Sequence, residues 1–590
     1  MLLMLFLPLI ISLLAAKENE ETSAVDFTHT YFASQLDSLS EWAQQMKKIS
    51  VAADEDVVHH TFLKGRLLYK HIEFLTEYYF PASAGRLNGA PLLEAEPAEN
   101  MEPKYPQGFQ VLEGMVYDEL TPESRKSIDY EVDNIIRTVN KLKSLKNNLE
   151  LTDSEILDAL RVNLYTLIIK GISGFDAPLA LSGIGEATAT LESLNAILAH
   201  FPGSEEVVNK VAMSIRYLRE HEGDFNAFNR AVFIKDYINP LCVTLNDYQL
   251  KNAIPFLKAE RAVRTNAKTL FDADAWDVQA FAPAGTPDLT TEQVQLGKLL
   301  FNDKRLSANN SRSCASCHQP NRAFTDSLRR NETLIGDQKL LRNTPTLLNA
   351  ALQPSQFYDS RISFLEDQIH DVVTNRAEMN GNLSMLAGKL SKDKRYRSMS
   401  RDAYGKEIDA DVIRKAVAAY IRSLSFLNSP FDRYMRGDAQ AMNRREINGF
   451  NLFMGKAKCG TCHFMPLFNG AAPPFYQKIE SEVLGVPEEN DTIRARVDKD
   501  LGKYHLYKIP HQKYSFKTVS VRNAALTAPY MHNGVFRTLE EVVDFYDRGG
   551  GAGIGINLDN QTLAPDQLNL SPTEKQELIA FIRALSDRGE

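Results

Sequence analysis

The chain has 590 residues, 44% of them hydrophobic and 24% charged, and carries a formal net charge of -9. That length exceeds what one hydrophobic core organises and points to about three domains. The acidic balance lacks the basic footprint of nucleic-acid binding, so no nucleic-acid partner is expected.

The chain opens "MLLMLFLPLIISLLAAKENEE", with an uncharged run from Leu2 to Ala16 ahead of an abrupt charged stretch. A spanning helix needs about 20 apolar residues, so this run is short for one. The small residues Ala15 and Ala16 suit cleavage of a secretory signal over 1–16. An uncleaved anchor is the other reading. Both place the bulk of the chain in the periplasm or otherwise outside the cytoplasm.

Residues 17–275 read as an N-terminal helical domain. "FLKGRLLYKHIEFLTEYYF" spaces its apolar residues at helical intervals, and Pro81 ends it. Residues 81–107, rich in Pro, Gly and Ala, read as a long loop. "LTDSEILDALRVNLYTLIIKGISG" is a further helix, with Asp153 as its cap and Gly171 near its stop. Within "GFQVLEGMVYDE", Gly108, Gln110 and Glu113 stand where imelysin-like bundles carry G-x-H-x-x-E, a resemblance in which Gln110 replaces the histidine. A helix cap with a polar face is the plainer reading there. Cys242 has no candidate partner and reads as a buried free thiol.

After "APAGTPDLT" the character changes. "LTTEQVQLGKLLF" is a helix with Thr290 as N-cap and Gln293 at the third position, ending at Phe301. Gly297-Lys-Leu-Leu-Phe301 and Gly449-Phe-Asn-Leu-Phe453 both read G-x-x-L-F, and each precedes a C-x-x-C-H. That is an internal duplication, with one unit over 280–435 and another over 436–590. The last segment, "SPTEKQELIAFIRALS", is a helix capped by Ser571, with Pro572 first and Glu574 closing a capping box. Its stripe of Leu578, Phe581, Ile582 and Leu585 fits either a flat apolar cofactor or plain core.

Four of the five cysteines lie in Cys314-Ala-Ser-Cys317-His318 and Cys459-Gly-Thr-Cys462-His463. Two thiols at this spacing can add across the vinyl groups of haem, and the adjacent histidine then reaches the iron. A tetrathiolate zinc site and a redox dithiol are the alternatives. The histidine after each pair, the long separation and the exported start favour two covalently bound c-type haems.

From about 280 to 590 the chain resembles the bacterial di-haem cytochrome c peroxidase and MauG superfamily. The resemblance is carried by "LLFNDKRLSANNSRSCASCH", "AFTD", "RNTPTLLNA", "FYDSRISFLEDQ", "AEM" and "LTAPYMHNGVFRTLEEVVDFY". It implies a mainly α chain: two tandem cytochrome c-like haem domains behind an α-helical bundle. It implies reduction of hydrogen peroxide at the His318 haem, with the His463 haem passing or storing electrons from a donor protein or other reductant. A MauG-like oxidase of a protein or organic substrate is the first alternative. A di-haem electron carrier is the second.

Site residues follow from the same resemblance. Glu378 would be the acid/base and Gln368 would orient peroxide, although a lone glutamate is more often a solvated face. Tyr358 stands where many relatives carry a tryptophan between the haems, and Arg361 and Arg522 would meet haem propionates. No histidine occurs in residues 319–369, where many relatives keep one that blocks the first iron; His370 is the first. The first haem is therefore expected to keep an open face. For the second, Tyr546 stands fourteen residues after His532, where peroxidases carry methionine and MauG-like members tyrosine; Met531 remains the alternative ligand. A Ca²⁺ between the haem domains would use Asn343, Thr527 and Pro529. Relatives also form homodimers.

Overall fold

Helical periodicity dominates the sequence, and helices dominate the structure. A computed structural model describes residues 22–51, 53–93 and 103–587. The expected leader over 1–16 lies outside them. Among the described residues no helix is long and apolar enough to cross a membrane, and the one sheet pairs Ser481–Glu482 antiparallel with Phe516–Lys517.

The long helices Ala24–Ser50, Glu55–Tyr79 and Pro122–Leu145 frame the N-terminal bundle. Trp42 crosses the second of these at Gly65, where a Cβ would come within 2.2 Å of the indole. Segment 81–107 departs from the expected loop, because Pro81–Asn88 is helical. Pro81 does end the preceding helix, but its fixed φ and missing N–H also suit the first position of the next one. The helix Asp153–Ile169 is capped by Thr152 rather than Asp153. Thr152 and Glu155 form a reciprocal capping box, which leaves Asp153 as the first helical residue, where a negative charge suits the helix dipole.

The buried face of Glu55–Tyr79 is charged as well as apolar. Arg66, Lys70, Glu73 and Glu77 recur at helical spacing and are all buried. Arg66 forks onto Glu186 at 2.6 and 3.0 Å, and Lys70 bonds Asp176 at 2.6 Å. Asn163 donates to Glu73 and Thr166 to Glu77. Each buried charge thus has a partner, without which it would cost several kcal/mol. Gln110 and Glu113 belong to this polar interior. Gln110 donates to Asn88 O, while Glu113 Oε1 accepts the N–H groups of Leu179 and Ala180.

The bundle and the second C-x-x-C-H unit share one apolar core, whereas the first unit has its own. Phe175 meets Phe464 at 5.6 Å between ring centres, Tyr78 meets Phe475 at 6.1 Å and Trp276 meets Tyr476 at 4.8 Å. Asn239 donates across the same junction to Met435 O. The helix Pro430–Met435 also lies against the second unit, where Phe431 meets Phe468 edge-on at 5.1 Å and Asp432 pairs with Arg522.

Glu113 yields a stability prediction. Burial pushes its carboxyl up to about 7, and its Oε2 has no hydrogen-bond partner. A raised folded-state pKa favours the protonated form, so its stabilising contribution is present below the unfolded value and lost as pH rises through 7. Glu113→Gln mimics that protonated form. Urea unfolding should find it close to wild type at pH 4.5 and more stable at pH 8 by up to about 3 kcal/mol.

Candidate functional site

Both C-x-x-C-H segments are built the same way. An entry helix, Thr291–Phe301 or Arg444–Met454, crosses a closing helix, Ala410–Arg422 or Pro572–Ala584. The glycine of each G-x-x-L-F sits at the crossing. A Cβ on Gly297 would lie 1.9 Å from Ala416 O, and one on Gly449 would lie 2.0 Å from Glu577 O. Only glycine lets the two backbones approach so closely.

In each unit the histidine N–H bonds the carbonyl of the first cysteine at 2.9 Å, which curls the motif into a short helical turn. His318 Nδ1 lies 3.1 Å from Phe324 O, and His463 Nδ1 lies 3.3 Å from Phe468 O. A carbonyl only accepts, so Nδ1 holds the proton and Nε2 presents its lone pair. Burial lowers both imidazole pKa values, that of His463 to about 4, which keeps the rings neutral.

The two phenylalanines that supply these carbonyls have left-handed backbones, φ 58° at Phe324 and 50° at Phe468. That conformation is costly for an aromatic residue and must be held by its surroundings. An aromatic trio holds it in each unit. Phe324 packs with Phe301 and Tyr420, and Phe468 packs with Phe453 and Phe581, at ring-centre distances of 5.0–6.5 Å. Phe581 thus turns the apolar stripe of the last helix into core.

Each socket presents two thiols and one oriented imidazole nitrogen. The four cysteines are free and partly buried. The two pairs stand in separate units, and among the described residues no group of three or more His, Cys, Asp or Glu is spaced for a metal ion. The tetrathiolate reading therefore has no geometry behind it. Two thiols beside one imidazole fit covalent haem attachment with a histidine axial ligand.

The residues expected to be catalytic, Glu378, Gln368 and Tyr358, all lie in the first unit. Ala308 N donates to Met379 O and Leu334 N to Ala377 O, so the segment carrying Glu378 is clamped from both sides. Glu378 accepts from Asn375 Nδ2 at 2.7 Å, and burial pushes its pKa up to about 7 against the attraction of Arg361. Its charge is also felt at the Cys317 thiol, after burial and Asp326 the next group to raise that pKa. Gln368, on the helix Leu365–Thr374, lines a ~90 Å³ cavity between the two units together with Tyr358 and Arg522. His370 is exposed. Tyr358 is held across the junction, because Lys517 N donates to its carbonyl at 2.7 Å.

Around the second socket, Tyr546 comes from the helix Leu539–Asp547. Burial raises its phenol pKa, and so do Cys462, Cys459 and Glu482. It therefore lies beside the second thiol pair. Met531 packs with Tyr546 on one small apolar cluster. Both arginines assigned to propionates have carboxylate partners. Arg361 bridges Asp359 and Asp371, and Arg522 bonds Asp432 and Asp587. Asn343 is tied to the loop that carries Thr527 and Pro529 through its N–H to His532 O, at 2.7 Å.

Several residues at the site escaped sequence reasoning. Asn349-Ala-Ala-Leu recurs as Asn523-Ala-Ala-Leu, and Ala419-Tyr-Ile-Arg-Ser-Leu-Ser as Ala580-Phe-Ile-Arg-Ala-Leu-Ser. Both asparagines have left-handed φ, and both donate through Nδ2 to Asp587, at 2.7 and 2.9 Å. Asp587 thereby joins the two units. Comparing the halves of the chain would have found both repeats. Glu482, which accepts from Cys462 and Thr562, gave no local signal.

Comparison with known proteins gives a consistent picture. Residues 291–440 match the family model described as di-haem cytochrome c peroxidase. Cytochrome-c peroxidase IdrP1 of Pseudomonas sp. (strain SCT) is 36% identical over 50% of this chain and 81% of its own length. Methylamine utilization protein MauG of Methylorubrum extorquens is 34% identical over 51% and 80%. Cytochrome c551 peroxidase of Pseudomonas aeruginosa is 30% identical over 58% and 92%.

The aromatic trio can be tested directly. Phe468 is fully buried, and truncating such a ring costs about 3–5 kcal/mol. Phe468→Ala should lose that much in urea unfolding of the second unit, because the left-handed loop loses its clamp as well as its packing. A loss under about 1 kcal/mol would remove the trio from its assigned role.

Proposed function

Because the chain belongs to the di-haem cytochrome c peroxidase family, we propose that it is an oxidoreductase that reduces hydrogen peroxide to water at the first socket. The observation that supports this reading is the carboxylate of Glu378, held in a clamped segment and within electrostatic range of Cys317. The reaction takes one H₂O₂, two electrons and two protons to two water molecules. Electrons come from a donor protein or other reductant and pass by way of the second socket.

Cys314 and Cys317, and Cys459 and Cys462, would hold haem through thioethers, and His318 and His463 would bind its iron. When bound, its iron supplies the electrons that cleave the O–O bond. The remaining work belongs to the chain. Glu378 takes a proton from one peroxide oxygen and returns it to the other, which leaves as water. Its pKa near 7 suits both transfers. Gln368, on the cavity wall, orients peroxide by hydrogen bonding. Tyr358, backbone-bonded to Lys517, sits on the route between the units.

Tyr546 would be a further ligand to the second haem's iron. A phenolate donates charge to iron and favours its higher oxidation states. Such ligation would favour a second reading, a MauG-like oxidase that stores oxidising equivalents for a protein or organic substrate. A Ca²⁺ held by Asn343, Thr527 and Pro529, export directed by residues 1–16 and a homodimeric state complete the proposal.

Glu378→Gln tests the first reading. It should lower kcat/KM for peroxide by about 10²–10⁴-fold while leaving two haems per chain. Only ionised Glu378 can accept the peroxide proton, so wild-type kcat/KM should fall as pH drops below about 7. The variant should lose that limb of the profile. Wild-type activity in Glu378→Gln would reassign the acid/base.

A further inference from the structure

Lys517 is a buried cation between the two units with no carboxylate beside it. It ends the strand Phe516–Lys517 of the second unit and is 7% exposed. Its Nζ donates to Gln353 Oε1 at 3.0 Å and to Ser355 O at 2.9 Å, both in the first unit and both uncharged. Two neighbouring buried cations are matched: Arg522 has Asp432 and Asp587, and Arg342 has Asp359 and Asp500. Lys517 instead lines the cavity shared by Tyr358, Gln368, Leu467 and Arg522. An ammonium taken out of water without an anion is strongly disfavoured. In this chain burial draws its pKa down to about 7, with only a through-space contribution from Asp359 to oppose it.

We propose that Lys517 completes a carboxylate-binding site in the inter-unit cavity, and that the carboxylate it takes is a propionate side chain of bound haem. The inference rests on the di-haem reading above. The cavity is walled by both units, and a propionate is the anion that such a cofactor brings into it. Paired in this way, Lys517 offsets a negative charge close to an iron. It thereby favours the reduced, less positive metal and sets a potential difference between the two haems. The second-unit strand that carries Lys517 also holds Tyr358 by its backbone, so one residue fixes the relay and tunes its driving force.

The test is the reduction potential of each haem, measured by spectroelectrochemistry on matured holoprotein whose content of two haems per chain has been verified. Lys517→Gln should lower at least one potential by about tenfold in the reduction equilibrium constant, or ~59 mV for one electron. Lys517→Arg, which keeps the charge, should stay near wild type. Gln353→Glu places a carboxylate against Nζ, neutralising Lys517 without removing it. It should move the same haem in the same direction, and it decides the matter if Lys517→Gln does not accumulate. Unchanged potentials in Gln353→Glu and in any Lys517→Gln obtained would overturn the proposal. Wild-type potentials that move with added acetate would also overturn it, by assigning the site to a free carboxylate. Loss of haem from wild type would instead strike the di-haem reading.

Discussion

One hydrogen bond, made twice, organises the molecule: the imidazole Nδ1 of His318 or His463 against the carbonyl of Phe324 or Phe468. It fixes which nitrogen is free to bind and where that nitrogen points. The carbonyl can be there only because its residue takes a left-handed backbone. That backbone persists only because an aromatic trio grips the ring. The trio in turn needs its entry and closing helices in near contact, which Gly297 and Gly449 permit. A glycine in the helix ahead of each cysteine pair therefore reaches the histidine of the motif through a short chain of contacts.

The two sockets are alike in construction and differ in what faces them. Glu378 lies within electrostatic range of Cys317 in the first, and Gln368 lines the cavity between the units. Tyr546 lies within electrostatic range of the second thiol pair, and Glu482 accepts from Cys462 there. The junction between the units is correspondingly dense in charge. Asp587 joins the equivalent asparagines of the two halves, and Lys517 reaches from one half into the other. The N-terminal bundle is part of this assembly rather than an appendage. Its core is continuous with that of the second unit, so deleting residues 17–275 would uncover Phe464, Phe475 and Tyr476.

Much of this was legible in the sequence, because local chemistry writes local patterns. The capping boxes at Thr290 and Ser571, the paired G-x-x-L-F segments and the C-x-x-C-H motifs all appear in the structure as read. Thr152 was missed as a cap because Asp153 beside it is an equally good capping residue by type. The helix after Pro81 was missed because proline was read only as a stop. The charged ladder of Arg66, Lys70, Glu73 and Glu77 looks like a solvated face in sequence, since each partner lies on a distant element. Lys517 and Glu482 were invisible for the same reason: their partners are brought to them by strand pairing and loop packing. Arg522 was assigned to a propionate by resemblance, and its pairing with Asp432 and Asp587 depends on helices that lie far away in sequence.

The central claim is that two equivalent haem sockets have been made unequal, one open and one closed. Low-temperature EPR of the oxidised, matured protein reads both irons at once. The expected spectrum holds one high-spin and one low-spin ferric signal in equal amounts. Two low-spin signals would mean that neither site is open to peroxide, and a protein without porphyrin would mean that the sockets hold something else.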